Sequence, residues 1–325
     1  MNKQLPILIT GGAGYIGSHT VLTLLQHGLQ PIVFDDLSTG RRDLVPDGVP
    51  FVEGDAGNID LVRTTLRQHG CGAVIHFAGS IINPESFDKP LEYYANNVSA
   101  SRNLLEACVA ENIGVFIFSS SAAVYGDAKI LPIPEYALTA PASPYGETKL
   151  ITEWMVRDVA NATNMRFAAL RYFNVAGADP DGRSGQVGPP THLIKIATEA
   201  ALGHREGMFI FGNDYATDDG TCIRDYIHVS DLADAHVLTL NHLMDGGPSL
   251  TLNCGYGHGY SVKQVIEAVE RVSGMVLKPT IAPRRRGDAA ALIADNAGIL
   301  ATLPWSPKHD DLDFMIQTAL DWERR

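Results

Sequence analysis

The chain has 325 residues, 45% hydrophobic and 19% charged, a balance that excludes a disordered chain and suits a soluble globular enzyme with one large core or two smaller ones. Its 25 basic residues against 37 acidic ones give a net charge of -12, which argues against a nucleic-acid surface as its main business. Cys71, Cys108, Cys222 and Cys254 are far apart and form no C-x-x-C pair, so neither a disulfide framework nor a zinc ribbon is expected and a reducing cytoplasm fits best.

In chain order, short apolar runs at residues 6–10, 31–34, 73–77, 115–119 and 166–170 are the predicted strands, with helical patterns at 16–26, 58–69, 91–111 and 145–161. The first run is too short an apolar core for a signal peptide, and no stretch of about 18 apolar residues offers a membrane span. The alternation predicts an α/β protein, a Rossmann-type doubly wound parallel sheet with helices on both faces. After Asn174 the pattern loosens into Gly, Pro and Asp-rich sequence around 178–190. That shift predicts a first domain over 1–174, with a returning segment near 223–250, and a smaller α/β lobe over 175–325. A cleft between lobes is where a ligand usually sits.

Gly11, Gly14 and Gly17 follow the first predicted strand and open the first predicted helix. In that context a glycine turn approaches a pyrophosphate and offers it helix N-terminal amides. The spacing is G-x-x-G-x-x-G, and a tight connection would use glycine too. Gly12 and Gly17 have the spacing of an NTP-binding loop, but Ser18-His19 stands where its Lys-Ser/Thr would be. Asp35-Asp36 ends the second strand, where a carboxylate accepts from ribose hydroxyls and repels a 2'-phosphate, so NAD is favoured over NADP. Asp55 suits the adenine edge, and Phe77-Ala78-Gly79 places small residues beside the cofactor.

Tyr145 and Lys149 are four apart on one predicted helix face, so the ammonium is expected to lower the phenol's pKa. Presenting a phenolate near pH 7 needs a shift of about 3 units, roughly 4 kcal/mol, of which Lys149 is expected to supply part. Ser121 ends a strand, and its hydroxyl can bridge the phenolate and a substrate alcohol. Such a Tyr/Lys pair is common by chance on surface helices; the glycine turn, Asp35 and the strand-end serines give it meaning. Together they describe redox chemistry on an alcohol. The eleven histidines show no H-E-x-x-H cluster, and no metal is expected.

The segments Gly11-Gly-Ala-Gly-Tyr-Ile-Gly-Ser-His19, Val74-Ile-His-Phe-Ala-Gly79, Phe118-Ser-Ser-Ser-Ala-Ala-Val-Tyr-Gly126, Ser143-Pro-Tyr-Gly-Glu-Thr-Lys149, Leu170-Arg-Tyr-Phe-Asn174, Phe211-Gly-Asn-Asp-Tyr215, Arg224-Asp-Tyr-Ile-His-Val229 and Arg284-Arg-Arg-Gly-Asp288 span essentially the whole chain. In combination they resemble the extended short-chain dehydrogenase/reductase family, specifically its UDP-glucose (UDP-galactose) 4-epimerase branch. The resemblance implies a tightly held NAD and epimerisation at C4 of a UDP-hexose by transient oxidation to a 4-keto sugar, with Tyr145 as base. Inverting an unactivated alcohol carbon has no easy direct route, which is why such an isomerase carries a dehydrogenase apparatus.

By that resemblance Ser121, Tyr145 and Lys149 are the catalytic trio, with Lys149 also reaching the nicotinamide ribose. Tyr15, Ile16, Asn96 and Tyr172 join the glycines, acids and Phe77–Gly79 in the expected cofactor set. Asn174, His192, Leu193, Phe211, Tyr226 and Leu292 join Ser121 and Tyr145 on the substrate side. Arg224 and Arg285 correspond to diphosphate-binding arginines, whose guanidinium forks suit its oxygens, and Asp288 to a carboxylate on the uridine ribose. Relatives pair as homodimers through helices matching 91–111 and 145–161.

Three positions depart from the pattern. Ala123 stands where many relatives have a Thr, Ile81 where several have a Lys near the pyrophosphate, and Leu292 where residue size is linked to the width of the sugar pocket. The last leaves UDP-N-acetylhexosamine and UDP-pentose epimerisation as alternatives. A nucleotide-sugar dehydratase would need an Asp-Glu couple where Ala122-Ala123 stand, a net reductase would need an exchangeable cofactor, and a non-catalytic NAD-sensing protein would show a damaged trio.

Overall fold

In the computed structural model, which describes residues 5–188 and 191–325, the apolar runs of the first half are strands buried on both faces. Ile7, Ile9, Val33, Ile75, Val115 and Ile117 belong to one core cluster, while the residues between them, Leu8, Ile32, Phe34, Val74, Phe116 and Phe118, belong to another. Apolar residues in both phases of a period of two are what a parallel sheet between two helix layers demands.

The elements of this half are β1 (Ile7–Thr10), α1 (Tyr15–Gln26), β2 (Pro31–Asp35), β3 (Phe51–Glu53), α2 (Ile59–His69), β4 (Ala73–His76), α3 (Glu85–Asp88), α4 (Pro90–Tyr93), α5 (Ala100–Ala110), β5 (Val115–Ser121), α6 (Pro144–Ala162) and β6 (Arg166–Tyr172). Short pieces follow: β7 (Asn174–Ala176), α7 (Leu193–Ala201), β8 (Phe209–Phe211), β9 (Ile223–Arg224) and β10 (Tyr226–His228). The chain continues through α8 (Val229–Met244), β11 (Leu250–Cys254), β12 (Tyr260–Ser261), α9 (Val262–Ser273), β13 (Thr280–Ala282), β14 (Ala291–Leu292), α10 (Ala297–Thr302) and α11 (Leu312–Glu323). The main sheet has seven strands in the order β11-β6-β5-β4-β1-β2-β3, all parallel. Its order reverses between β1 and β4, and ligands of open α/β sheets bind at such a switch point, beyond the strands' carboxyl ends.

After Asn174 the chain returns to this sheet. Val237, Leu240 and Leu243 of α8 join the cluster that holds Ile7, and β11 pairs with β6, Leu252 opposite Leu170. A second core, with Ile227, Val265, Ile299, Trp305 and Met315, lies under the short sheets and helices of the second half.

The single helix expected over 91–111 is α4, a wider π-type turn at Tyr94–Ser99, and α5. Asn97 in that turn is buried; its Oδ1 accepts from Ser80 N at 2.7 Å, and its Nδ2 donates to Ser80 O and Thr148 Oγ1, both at 3.0 Å. This tie to the loop after β4 and to α6 accompanies the local change of winding.

Four histidines are buried. His228 Nδ1 accepts from Ser230 N at 3.1 Å, capping α8, so that nitrogen carries no proton. Burial drags the imidazoles from 6.5 to about 4 for His19 and His236 and to about 3 for His76 and His228. Below pH 6.5 the unfolded chain takes up protons that the folded one refuses, so stability falls with pH by about 1.4 kcal/mol per unit for each histidine. Asp225, raised by burial to about 6, and Asp35, also raised by burial, act in the opposite direction but are outnumbered, since His192 is lowered to about 4 as well. The unfolding temperature is expected to drop steeply from pH 6.5 to 4.5; a flat profile there would contradict this reading.

Candidate active site

The glycine turn is built by close approach. A Cβ on Gly17 would lie 2.1 Å from Gly11 O, and one on Gly11, whose φ is +71°, would lie 2.6 Å from Ala78 N. Gly14 is less confined, its nearest neighbour being Gly11 O at 3.3 Å. Gly17 thus lets α1 begin hard against the β1 turn, aiming the helix N-terminus at the space beyond the sheet. Replacing Gly17 with Ala is expected to reduce NAD retained by the purified protein at least tenfold, read from absorbance of the denatured extract; undiminished retention would contradict the proposed turn.

That space is a cavity of about 820 Å³. Its wall includes Gly11, Gly14, Tyr15, Ile16 and Gly17 from the first turn, with Asp35, Asp36, Asp55, Phe77, Ala78, Gly79 and Asn96. The wall continues through Ser121, Tyr145, Tyr172, Asn174, His192, Arg224, Arg285, Asp288 and Leu292. Asp35 Oδ2 accepts from Ala13 N and its Oδ1 from Leu37 N, both at 2.9 Å, which fixes the carboxylate at the end of β2 with lone pairs to spare. Burial raises its pKa, against those two amides. A glycine cradle and a fixed acid in one wall fit a dinucleotide with an unphosphorylated ribose.

The reacting end is set by α6. Ser143 caps it, accepting from Gly146 N at 3.2 Å, with Pro144 in the first turn. Gly146 lets the helix pack against the turn after β5: a Cβ there would sit 2.6 Å from Ala123 O. That contact brings Tyr145 toward Ser121, whose Oγ accepts from Ala123 N at 3.2 Å and keeps its own proton to donate.

Lys149 lies behind the phenol, not in the cavity wall. Its Nζ donates to Ser119 O at 2.9 Å and sits 5.0 Å from the Phe118 ring centre and 5.9 Å from that of Tyr145. Burial lowers its pKa to about 8, partly offset by the Glu153 carboxylate. Tyr145 differs from expectation as well. Burial raises its pKa, and the Ser121 hydroxyl is the group that pulls it down. The phenol is therefore protonated at neutral pH in the protein alone.

At the other end Arg285 Nε donates to Asp288 Oδ2 at 3.0 Å, and Arg224 Nη2 lies 3.8 Å from Asp288 Oδ1. One carboxylate thus orients two guanidinium groups toward the same cavity, a fit for a diphosphate. Three expected substrate residues do not form the wall. Tyr226 and Leu193 pack with the second core because apolar and ligand-facing aromatic or aliphatic positions look alike in sequence. Phe211 stacks against Arg285, 4.7 Å from ring centre to guanidinium carbon. Ser38, Thr39, Gln186 and Thr191 line the cavity and were not anticipated, since small polar residues in loops carry no pattern.

A parallel sheet with a glycine cradle at its switch point, and a Ser/Tyr/Lys set at the end of β5 and the start of α6, defines a dinucleotide-dependent protein acting on an alcohol. The sequence model of the NAD dependent epimerase/dehydratase family matches residues 7–255, and the chain belongs to that family. It is 55% identical over 319 residues to the UDP-glucose 4-epimerase of Azospirillum brasilense, covering 98% of this chain and 92% of that protein. The structure of UDP-glucose 4-epimerase from Brucella ovis in complex with NAD superposes with a TM-score of 0.94 at 45% identity, covering 98% of both chains. The UDP-Glc/GlcNAc 4-epimerase of Campylobacter jejuni does so with 0.86 at 44% identity, covering 98% of this chain and 99% of that one.

Proposed function

We propose that this protein is an NAD-dependent UDP-glucose 4-epimerase that interconverts UDP-galactose and UDP-glucose. The observation that carries the reading is one continuous cavity with the glycine cradle and Asp35 at one end, Tyr145 and Ser121 in its wall, and the Arg224/Arg285 pair at the other. Ala122 and Ala123 line the same wall, so the acid/base couple of a dehydratase has no counterpart there. When bound, NAD would accept the C4 hydride in its oxidised form and, once reduced, return it, and the oxidised form would add positive charge to the site. Tyr145 takes and returns the proton of the 4-hydroxyl, with Ser121 donating to the phenolate. Lys149, a cation held behind the ring, stabilises the phenolate without touching the sugar. Arg224 and Arg285 grip the diphosphate while the sugar turns.

The Rossmann half then holds the cofactor, and the lobe after residue 175 mainly holds the UDP-sugar. Leu292, in the cavity wall, leaves more room than a Tyr would, which supports a second reading: UDP-N-acetylgalactosamine is also a substrate. Leu91, Val109 and Trp154 are exposed on α4, α5 and α6, support for a homodimer through those helices. No helix among the described residues is long and apolar enough to cross a membrane, and the four cysteines are unpaired, in keeping with a cytoplasmic enzyme.

Incubating the purified protein with UDP-galactose, without added NAD, is expected to yield UDP-glucose. Absence of UDP-glucose from protein that retains NAD would overturn the assignment. UDP-N-acetylgalactosamine in a parallel reaction tests the wider pocket, and conversion no faster than background would end that part.

A further inference from the structure

Among the described residues, one buried side-chain atom without a hydrogen-bond partner belongs to the cavity wall: Oδ1 of Asn83. An unpaired buried carbonyl is costly to the fold, so an amide left in this state is a candidate for a partner that the protein itself does not supply. The residue is fixed by its backbone. Asn83 O accepts from Ser86 N at 3.2 Å and Ser86 Oγ at 2.7 Å.

The turn that carries Asn83 is anchored at both ends of the expected sugar position. On one side Ile82 N donates to Tyr93 Oη at 3.0 Å and Tyr93 Oη donates to Ile82 O at 2.7 Å; Tyr93 and Tyr145 both line the cavity. On the other side Phe87 packs against the segment bearing Arg285 and Asp288. Its Cζ lies 3.1 Å from where a Cβ on Gly287 would be, and Arg286 stacks over its ring at 4.4 Å. Asn83 thus sits in the wall of the cavity that also holds Tyr145, Arg224 and Arg285, on a turn tied to Tyr93 on one side and to the Arg285–Asp288 segment on the other. Ala123 and Leu292 in the same wall offer the sugar no polar side-chain group.

We propose that Asn83 is a sugar-recognising residue whose side-chain amide hydrogen-bonds a hydroxyl of the bound hexose, an inference that rests on the UDP-hexose reading of the site. The amide exchanges donor and acceptor by a half-turn about Cβ–Cγ, so it can serve a sugar presented in two orientations. A site that hydrogen-bonds a substrate group discriminates through the loss of that bond.

The test compares wild type with Asn83→Leu, similar in size and apolar, and Asn83→Ser. UDP and UDP-galactose are titrated separately by calorimetry, UDP-galactose turnover is measured, and unfolding temperatures are recorded. In Asn83→Leu the ratio of UDP Kd to UDP-galactose Kd should fall about tenfold, kcat/KM for UDP-galactose should fall about 10- to 100-fold, and UDP affinity should stay within twofold. The unfolding temperature should hold or rise, since an unpaired buried oxygen has gone. Asn83→Ser should keep part of the sugar-dependent affinity. An unchanged Kd ratio in Asn83→Leu would overturn the proposal, as would equal weakening of UDP and UDP-galactose with a lowered unfolding temperature in both variants. A wild-type protein that binds both ligands but does not turn over UDP-galactose would instead overturn the epimerase reading, while the Kd ratio still decides the role of Asn83.

Discussion

Tyr145→Phe is expected to lower kcat for UDP-galactose by about 10²- to 10⁴-fold while leaving UDP affinity within twofold. The change deletes one oxygen from a buried ring. It leaves Lys149 on Ser119 O and both arginines on Asp288. What it removes is the group that moves the 4-hydroxyl proton, a contribution of the size typical of general acid–base catalysis. The burial that raises the phenol's pKa also means that the protein alone holds it protonated. Its ionisation therefore depends on charge brought in with the ligands, added to the Ser121 hydroxyl and the Lys149 cation. Steady-state assay with calorimetric UDP titration separates the two effects. A loss below tenfold would show that another group carries the proton.

Glu153→Ala is expected to destabilise the fold by roughly 3–5 kcal/mol, the usual cost of removing one partner of a buried ion pair. Glu153 Oε2 accepts from Arg171 Nη2 at 2.6 Å, and its Oε1 accepts from Arg171 Nε at 2.9 Å and Ser120 Oγ at 2.5 Å. Arg171 Nη1 also donates to Tyr125 Oη at 2.9 Å, which links β6 to the turn after β5. The variant leaves the guanidinium buried without its anion. A paired Glu153→Leu/Arg171→Met replacement should recover a large part of the loss, since two apolar side chains need no partners. Denaturant titration of the three proteins decides it, and a single variant within 1 kcal/mol of wild type would contradict the pairing's importance. Glu153 also opposes the lowering of Lys149's pKa by burial, so its loss should push that ammonium further down.

The glycine turn, Asp35 and the Tyr145/Lys149 spacing were legible because each is a local pattern with a local cause. Glu153 was not, although it continues the series by one more turn of α6: an acid on a helix face reads as solvated until Arg171, eighteen residues on, is known to lie beneath it. For Lys149 the four-residue spacing shows a face shared with Tyr145 and not which of the two lines the cavity. Tyr226 and Leu193 failed differently, as side chains that serve a core and a ligand pocket equally well in composition. Asn83 carried no signal, since its importance lies in a bond that it does not make. The π-type turn at Tyr94–Ser99 was hidden because its φ and ψ are helical and only the buried Asn97 side chain marks it.

The most direct test of the oxidation-and-return cycle follows one atom. UDP-galactose carrying deuterium at C4 is incubated in ordinary water with the purified protein and no added NAD, and the UDP-glucose formed is analysed by mass spectrometry and NMR. Deuterium retained at C4 of the product is the predicted result, because the hydrogen is held within the cavity and returned to the opposite face. Product whose C4 deuterium has been replaced by solvent hydrogen would contradict it.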